Sequence, residues 1–150
     1  MAEIARNKQI NLDYKVVEEL EAGLVLTGQE VKSIKTHHIS LKGAFVSLKR
    51  GEAWLKKMHI PTYSKASLQS LKNYNPDRDR KLLLAKRQIA YLSSKTNEKG
   101  LTIVPISVYT TRRLIKVKIA LVKGKKKFDK RETIKKRDIE RNISRKLKNF

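Results

Sequence analysis

The cationic side chains are the residues of this sequence most able to do chemistry, and that chemistry is the binding of polyanions. Lys and Arg number 36 against 14 Asp and Glu, which gives a formal net charge of +22. This charge exceeds what solubility requires, and so many like charges repel one another in a folded chain. A polyanionic partner would neutralise them, and nucleic acid is the first candidate.

The sequence shows no constellation typical of catalysis or metal binding. It contains no Cys, which excludes disulfides, thiolate catalysis and Cys-ligated zinc. Its acidic residues are scattered or lie within basic runs, unlike the clustered carboxylates of a nuclease. His37 and His38 would point to opposite faces of a strand, which is poor geometry for sharing an ion. We therefore expect no enzyme activity, no metal and no cofactor.

Hydropathy argues against a membrane partner. No segment reaches the roughly 20 apolar residues of a spanning helix, and the N-terminus lacks the apolar stretch of a signal peptide. These features predict a cytoplasmic protein. With 150 residues, 39% of them hydrophobic, the chain is expected to bury one core.

The elements that must position the cations begin with a β-rich segment. Residues 14–26 predict two short strands or one strand bent at Ala22-Gly23. A capping-box spacing starting at Thr27 predicts a helix over residues 28–35. Alternation and turn residues then predict two hairpins, over residues 43–49 with 52–59 and residues 101–109 with 114–122.

A second helix is predicted over residues 80–93, with Asp77 or Asp79 as its cap. Its core face would consist of Leu82, Ala85, Ile89 and Leu92. Leu83 then lies about a quarter turn from that face. Two interpretations stay open with equal weight: a neighbouring strand covers Leu83, or Leu83 is available to a partner.

Six short strands with two inserted helices predict an OB-like antiparallel six-stranded barrel over residues 1–123, a mainly β fold with inserted helices. Residues 124–150 carry 12 Lys and Arg against 4 Asp and Glu, so this basic tail is predicted to be disordered when free. A helical wheel nevertheless predicts a helix formed only on a partner, with an apolar stripe of Ile139, Ile143, Leu147 and Phe150. A tail that is merely solubilising is the alternative.

A series of short motifs spans nearly the whole chain in a fixed order. They are Asn7-Lys8, Asp13-Tyr14, EAGLVLTG at residues 21–28, EVKS at 30–33, RKLLL at 80–84, Thr102 to Pro105 with Tyr109, Lys116-Val117, GKK at 124–126 and DKRE at 129–132. Together these motifs resemble the SsrA-binding protein family of trans-translation. Any one of them alone would be a weak signal.

The resemblance implies an OB-type barrel that binds the transfer-RNA-like domain of transfer-messenger RNA (tmRNA, SsrA). It further implies that the protein promotes alanylation of this RNA and, as a monomer, accompanies it to stalled ribosomes together with elongation factor Tu and GTP. The family's RNA-contacting positions correspond to Asn7, Glu21 and Leu83, and Lys32, Arg80 and Lys81 are also expected to bind this RNA. Glu21 would accept hydrogen bonds from base edges or ribose hydroxyls, unless it is simply a solvated carboxylate.

The tail would occupy the vacant decoding site and mRNA channel of the small ribosomal subunit. The family's ribosome-engaging stretch matches Gly124, Lys125, Asp129, Lys130 and Arg131, and the cations Lys135, Lys136, Arg137 and Arg141 continue along the predicted helix. Phe128 stands where many relatives carry His, so base stacking would survive there but an imidazole role would not. The alternative to this adaptor is a generic OB-fold ribosome-associated or single-strand RNA-binding protein, which would not need a separately folding tail.

Overall fold

Seven strands and four helices make up the part of the chain that the structure, a computed structural model, describes: residues 2–36, 39–63, 72, 74–98, 100–124 and 127–148. The strands are β1 (Ala2–Arg6), β2 (Tyr14–Leu24), β3 (Phe45–Lys49), β4 (Glu52–Lys56), β5 (Arg80–Leu83), β6 (Leu101–Thr111) and β7 (Leu114–Gly124). The helices are α1 (Ile10–Asp13), α2 (Gly28–Thr36), α3 (Lys86–Thr96) and α4 (Lys127–Lys148). None of these helices combines the length and apolar character needed to cross a membrane.

Antiparallel ladders close six of the strands into a barrel. The ring runs β6-β3-β4-β5-β2-β7 and returns to β6 through the long β6–β7 hairpin. Its narrowest join is between β3 and β6, where one residue pair, Val46 and Ile103, connects the strands. Strand β1 lies outside the ring and pairs with β6. The prediction of a mainly β, antiparallel six-stranded barrel with inserted helices is confirmed.

Two predicted elements differ in detail. Residues 14–24 form a single strand, whose bulge lies between Val16 and Glu18 and not at Ala22-Gly23. Residues 80–83 form β5, and the helix predicted to start at residue 80 begins at Lys86. β5 has only four residues, so its alternation is too short to be told from helical spacing without knowledge of its partners. Those partners, β4 and β2, are distant in sequence.

The predicted acidic cap of this helix is also wrong. The backbone N–H of Ala85, the residue just before the helix, donates to the side-chain oxygen of Gln88 at 2.9 Å. Asp77 instead contacts the ring of His59 at 3.0 Å, and Asp79 lies 3.8 Å from the Lys56 ammonium. Both carboxylates therefore fasten the loop before β5 to the β4 region.

Two helices insert apolar side chains into the barrel interior. Ile34 of α2 and Leu92 of α3 are fully buried there, together with Leu55, Ile119 and Leu121 from the strands. The capping box that predicted α2 is present, because the Thr27 N–H donates to Glu30 at 3.0 Å and the Glu30 N–H donates to the Thr27 hydroxyl at 3.3 Å. Sequence spacing was sufficient here since both partners lie within one turn.

Glu30 also forms a buried ion pair that fastens α2 to β5. The Arg80 Nε donates to Glu30 at 2.6 Å, and neither side chain is more than 1% exposed. The Arg80 Nη groups donate to the backbone carbonyls of Met58 and Pro76. Burial raises the pKa of Glu30, but hydrogen bonds from Arg78, the Thr27 N–H and Arg80 outweigh it, and the net effect is a lowered pKa.

The tail forms helix α4 from residue 127 to residue 148, within the segment for which a helix was predicted. It contacts α1, and Arg137 donates a hydrogen bond of 3.3 Å to the Lys8 carbonyl. Ile139 and Ile143, two members of the predicted apolar stripe, are exposed on α4. That a partner is needed to order this helix stays a prediction. Phe150 lies outside the described residues, as does the side chain of Leu147.

Candidate nucleic-acid interface

A row of outward-facing positions crosses four strands of the barrel and forms the centre of the candidate interface. Gly23 of β2 pairs with Leu83 of β5 on one side and with Lys116 of β7 on the other. Lys116 in turn pairs with Tyr109 of β6. Outward direction follows from strand alternation, because the neighbouring Ala22, Leu82 and Val117 are all buried in the core.

Glu21 and Leu83 are brought together by this arrangement. Glu21 lies two residues before Gly23 on the same face of β2, so it is a diagonal neighbour of Leu83 across the β2–β5 pair. Such neighbours are separated by about 7 to 8 Å. We refer to Glu21, Gly23, Leu83, Tyr109 and Lys116 as the Glu21 cluster.

Leu83 is 57% exposed, although it is one of the larger apolar side chains. The sequence left open whether a strand covers it or whether it is available to a partner, and the structure shows that it is available. Leu83 is exposed because it is the outward-facing last residue of strand β5, and not because of its angle on the helix that the sequence predicted. A single exposed leucine is common on protein surfaces, so its significance depends on its neighbours.

Gly23 allows Leu83 to lie close against β2. A Cβ atom at position 23 would come 3.1 Å from the Leu83 Cβ and 3.3 Å from its Cδ1. Both distances are shorter than ordinary carbon contacts of about 3.5 to 4.0 Å. Any larger residue at position 23 would therefore displace the Leu83 side chain.

Glu21 is oriented by two donors, one for each carboxylate oxygen. The Lys116 ammonium lies 2.9 Å from Oε1, and the Tyr109 hydroxyl donates to Oε2. The hydrogen bond from Lys116, and then that from Tyr109, lowers the pKa of Glu21 below its ordinary value. The carboxylate is thus ionised at neutral pH, and each oxygen keeps a lone pair that can accept from a ligand.

Tyr109 supports this arrangement from within the barrel wall. Its side chain is buried, with only 5% exposed. Burial, followed by the hydrogen bond to Glu21, raises the pKa of Tyr109 to about 12. Its hydroxyl therefore remains a donor throughout the physiological range of pH.

Tyr109 and Lys116 belong to the cluster although the sequence did not single them out as site residues. The available signal was the period-two alternation of residues 114–122, which places Lys116 and Lys118 on the outer face. It could not show that Lys116 reaches Glu21, because these two residues are 95 positions apart along the chain.

Arg80 does not fit its predicted role in RNA binding. Its side chain is completely buried, and its donors are used by Glu30 and by backbone carbonyls. A buried guanidinium with satisfied donors cannot reach a phosphate on the surface. We therefore assign Arg80 to the framework that holds β5, and with it Leu83, in place.

The two predicted lysines have different relations to the cluster. Lys81 lies two residues before Leu83 on the outer face of β5, and its ammonium is 3.3 Å from Glu52. Lys32 is on α2, with its ammonium 5.9 Å from the centre of the Tyr63 ring. Lys81 thus extends the Glu21 cluster, whereas Lys32 is an exposed residue of α2.

Asn7 is not beside Glu21, because β6 and β7 lie between the end of β1 and β2. Its N–H group donates to the Ile106 carbonyl at 2.7 Å, and its side-chain oxygen accepts from the Gln9 N–H at 3.2 Å. Asn7 lines a cleft of about 410 Å³ between the barrel and α4, together with Arg137 and Arg141. The structure therefore places Asn7 next to the tail helix.

The predicted tail residues extend along α4 from the end of β7. Gly124 is the last residue of β7, and the side chains of Arg131, Lys135, Lys136 and Arg141 are exposed on α4 while Arg137 is half-buried. Lys125 lies outside the described residues, as do the side chains of Phe128, Asp129 and Lys130. His37 and His38, the pair weighed as metal ligands, are also outside them. Within the described residues, no group of three or more His, Cys, Asp or Glu could hold a metal ion.

The chain is similar to one family along almost its whole length. The model of the SmpB protein family matches residues 4–149. The SsrA-binding proteins of Streptococcus pyogenes serotype M18 (strain MGAS8232) and of Ligilactobacillus salivarius (strain UCC118) are each 46% identical over 147 residues, covering 98% of this chain and 93% of theirs. A solved structure described as "tmRNA-SmpB: a journey to the center of the bacterial ribosome" matches with a TM-score of 0.69 at 36% identity, covering 89% of this chain and 95% of that one.

Proposed function

The chain belongs to the SmpB protein family, and we propose that it is an RNA-binding adaptor of trans-translation. In this proposal the barrel binds the transfer-RNA-like domain of transfer-messenger RNA, and the basic tail engages the ribosome. The observation that carries it is the Glu21 cluster, where the exposed Leu83 adjoins an ionised and oriented acceptor on a cationic surface.

The Glu21 cluster and the lysines beside it offer three kinds of contact that suit structured RNA. The ionised Glu21 can accept hydrogen bonds from exocyclic amines or ribose hydroxyls, which a simple cationic surface cannot do. Leu83 can pack on a base or ribose face. Lys81, Lys116 and Lys118 can attract the phosphates on either side. Affinity would come mainly from the cations and selectivity from Glu21 and Leu83.

The tail would serve a different RNA. Residues 124–150 carry a net charge of +8, and α4 presents exposed cations on several sides. A cationic helix of this kind suits a narrow channel lined by phosphates. We propose that Gly124, Lys125, Phe128, Asp129, Lys130, Arg131 and the later tail cations engage the vacant decoding site and mRNA channel. Asn7 and Lys32 remain proposed contacts of the transfer-messenger RNA.

The remaining parts of the proposal concern how this chain takes part in the steps of trans-translation. The protein would act by binding alone, without catalysis or a cofactor, as a cytoplasmic monomer. It would promote alanylation of the RNA by holding the transfer-RNA-like domain in a form that the synthetase accepts. Elongation factor Tu with GTP would join through the charged RNA, with no need for a direct contact to this chain.

The test compares two variants that carry the same change. Leu83→Asp should weaken binding to the transfer-RNA-like domain by at least tenfold, because it adds a negative charge beside Glu21 at the proposed contact. Leu114→Asp is the matched control, since Leu114 is also exposed, at 60%, but lies at the β6–β7 turn. Gel-shift titration would give the affinities, and thermal unfolding would check the fold of both variants.

Equal losses of affinity in the two variants would show a general charge effect and would remove the Glu21 cluster from the proposal. A collapse of thermal stability in Leu83→Asp alone would mean that Leu83 is needed for packing.

The generic single-strand RNA-binding protein is the alternative, and it makes a different prediction. RNA that co-purifies with the full chain at moderate salt should be one dominant structured species for the adaptor and a mixture of sizes for the generic binder. The log-log salt slope reports how many phosphates are bound, with about 0.7 to 0.9 per contact, and applies to both. Sizing the bound RNA therefore separates the two functions.

A further inference from the structure

A second cationic groove lies at the end of the barrel that α3 covers. It has a volume of about 510 Å³ and runs between α3 and the turn that joins β3 to β4. Its lining includes three apolar residues, Leu48, Ile89 and Ala90, which we call the floor, and three cations, Lys49, Arg50 and Lys86, which we call the rim. None of these residues belongs to the Glu21 cluster.

None of Lys49, Arg50 and Lys86 forms an ion pair with a carboxylate among the described residues. Glu52 lies opposite Lys49 across the β3–β4 pair, outside the lining of the groove. No acidic residue is among those that line the groove. Its charge is therefore complementary to an anion, while its floor is complementary to an apolar or aromatic surface.

Arg50 occupies a backbone conformation that does not favour arginine. Lys49 and Glu52 pair directly, so the turn has two central residues, Arg50 with φ +54° and Gly51 with φ +73°. Such a turn strongly prefers Asn, Asp or Gly at its first central position. The same conformation recurs at Arg112 in the β6–β7 turn, so it distinguishes Arg50 only together with the groove that its side chain lines. The tight turn also fixes where that side chain begins.

We propose that this groove binds one nucleotide of single-stranded RNA, as a second RNA site separate from the Glu21 cluster. The phosphate lies against Arg50, Lys49 and Lys86. The base packs on the apolar floor, which tolerates different bases because each base has an apolar face. The barrel thereby contacts RNA on two sides, whichever RNA the Glu21 cluster selects.

Arg50→Asn tests the site, because it removes the cation while giving the turn a residue that it prefers. With the full chain and a ten-nucleotide oligouridylate as probe, binding should weaken about three- to fivefold, the effect of one exposed charged contact. Thermal stability should stay the same or rise. This combination separates lost binding from lost folding.

Arg112→Asn is the matched control. Arg112 is also an exposed arginine at the first central position of a two-residue turn, with φ +47°, but it does not line the groove. We expect it to weaken oligouridylate binding by less than twofold. Equal losses in the two variants, or no loss in Arg50→Asn, would overturn the proposal.

Two further measurements identify the occupant. Photo-crosslinking with 4-thiouridine should place the probe on peptides that contain residues 48–51 or 86–93, and crosslinks confined to β2 or β5 would overturn the proposal. Poly-glutamate of matched charge should compete poorly, and equal competition would indicate an acidic protein partner instead. Leu83→Asp should still bind the oligouridylate, so failure of the Glu21 cluster would not be mistaken for failure of this groove.

Discussion

Replacement of Tyr109 by Phe should weaken RNA binding without loosening the barrel. The change removes only the hydroxyl, and the buried ring keeps its shape and packing. That hydroxyl donates to Glu21 Oε2, while Lys116 holds the other oxygen at 2.9 Å. Without it, the carboxylate is held at one oxygen only and can rotate away from the orientation that an RNA donor requires.

The size of the effect follows from the exposure of Glu21. A hydrogen bond to a charged group contributes about 1.5 to 3 kcal/mol to stability. The Glu21 side chain is 50% exposed, so water replaces part of the lost interaction. We therefore expect a loss of about 1 kcal/mol in binding free energy, which corresponds to about fivefold weaker affinity.

A double-mutant cycle with Glu21→Ala, which removes the acceptor, shows whether Tyr109 acts through Glu21. Fluorescence anisotropy of the labelled transfer-RNA-like domain, at one fixed salt concentration, would give the four affinities. Tyr109→Phe should cost about fivefold in the parent chain, as estimated above, and less than about twofold when position 21 is already Ala. Thermal unfolding of all four proteins serves as the control for folding.

The pH dependence of binding provides a second readout. Because the pKa of Glu21 is lowered and the pKa of Tyr109 is raised to about 12, neither group changes its charge between neutral pH and mildly acidic pH. The contribution of Glu21 should therefore be constant over this range.

An equal cost of Tyr109→Phe in both backgrounds of the double-mutant cycle would refute the coupling, since Tyr109 would then act independently of Glu21.

Four further predictions concern the framework and the tail. Because the folded pKa of Glu30 is lowered, the free energy of unfolding should fall as pH drops below about 4.5 and through that folded pKa, as measured by urea denaturation. Arg80→Met should cost about 3 kcal/mol by the same measurement, since it leaves the Glu30 carboxylate buried with less compensation. A chain ending at Lys123 should stay folded and bind the transfer-RNA-like domain, yet fail to support peptide transfer on stalled ribosomes. Ile143→Pro, which leaves the charge unchanged and costs a helix interior about 3 kcal/mol, should fail in the same assay; full activity would mean that the tail works as a flexible basic tether.

Local signals in the sequence predicted local structure well. The capping box that begins α2, the Arg50-Gly51 turn and the β6–β7 hairpin all involve residues close together in the chain, and all were correctly predicted. Strand β5 was mistaken for helix because its four residues show a pattern that only its distant partners β4 and β2 make clear. The same limit applies to Glu30, whose capping role was predicted but whose ion pair with Arg80, 50 residues away, was not.

Two sequence motifs carry most of the proposed recognition: EAG at residues 21–23 and RKLLL at residues 80–84. They form one site only in the folded barrel. EAG at residues 21–23 looked like a place for the strand to bend, but its glycine pairs regularly with both neighbouring strands. The structural reason for glycine is the close approach of Leu83, whose Cβ would lie 3.1 Å from any Cβ at position 23. Because Arg80 anchors β5 in the core, Leu83 is held over Gly23 and beside Glu21. The selectivity proposed for the barrel therefore depends on Gly23 and Arg80 as well, although neither residue needs to touch the RNA.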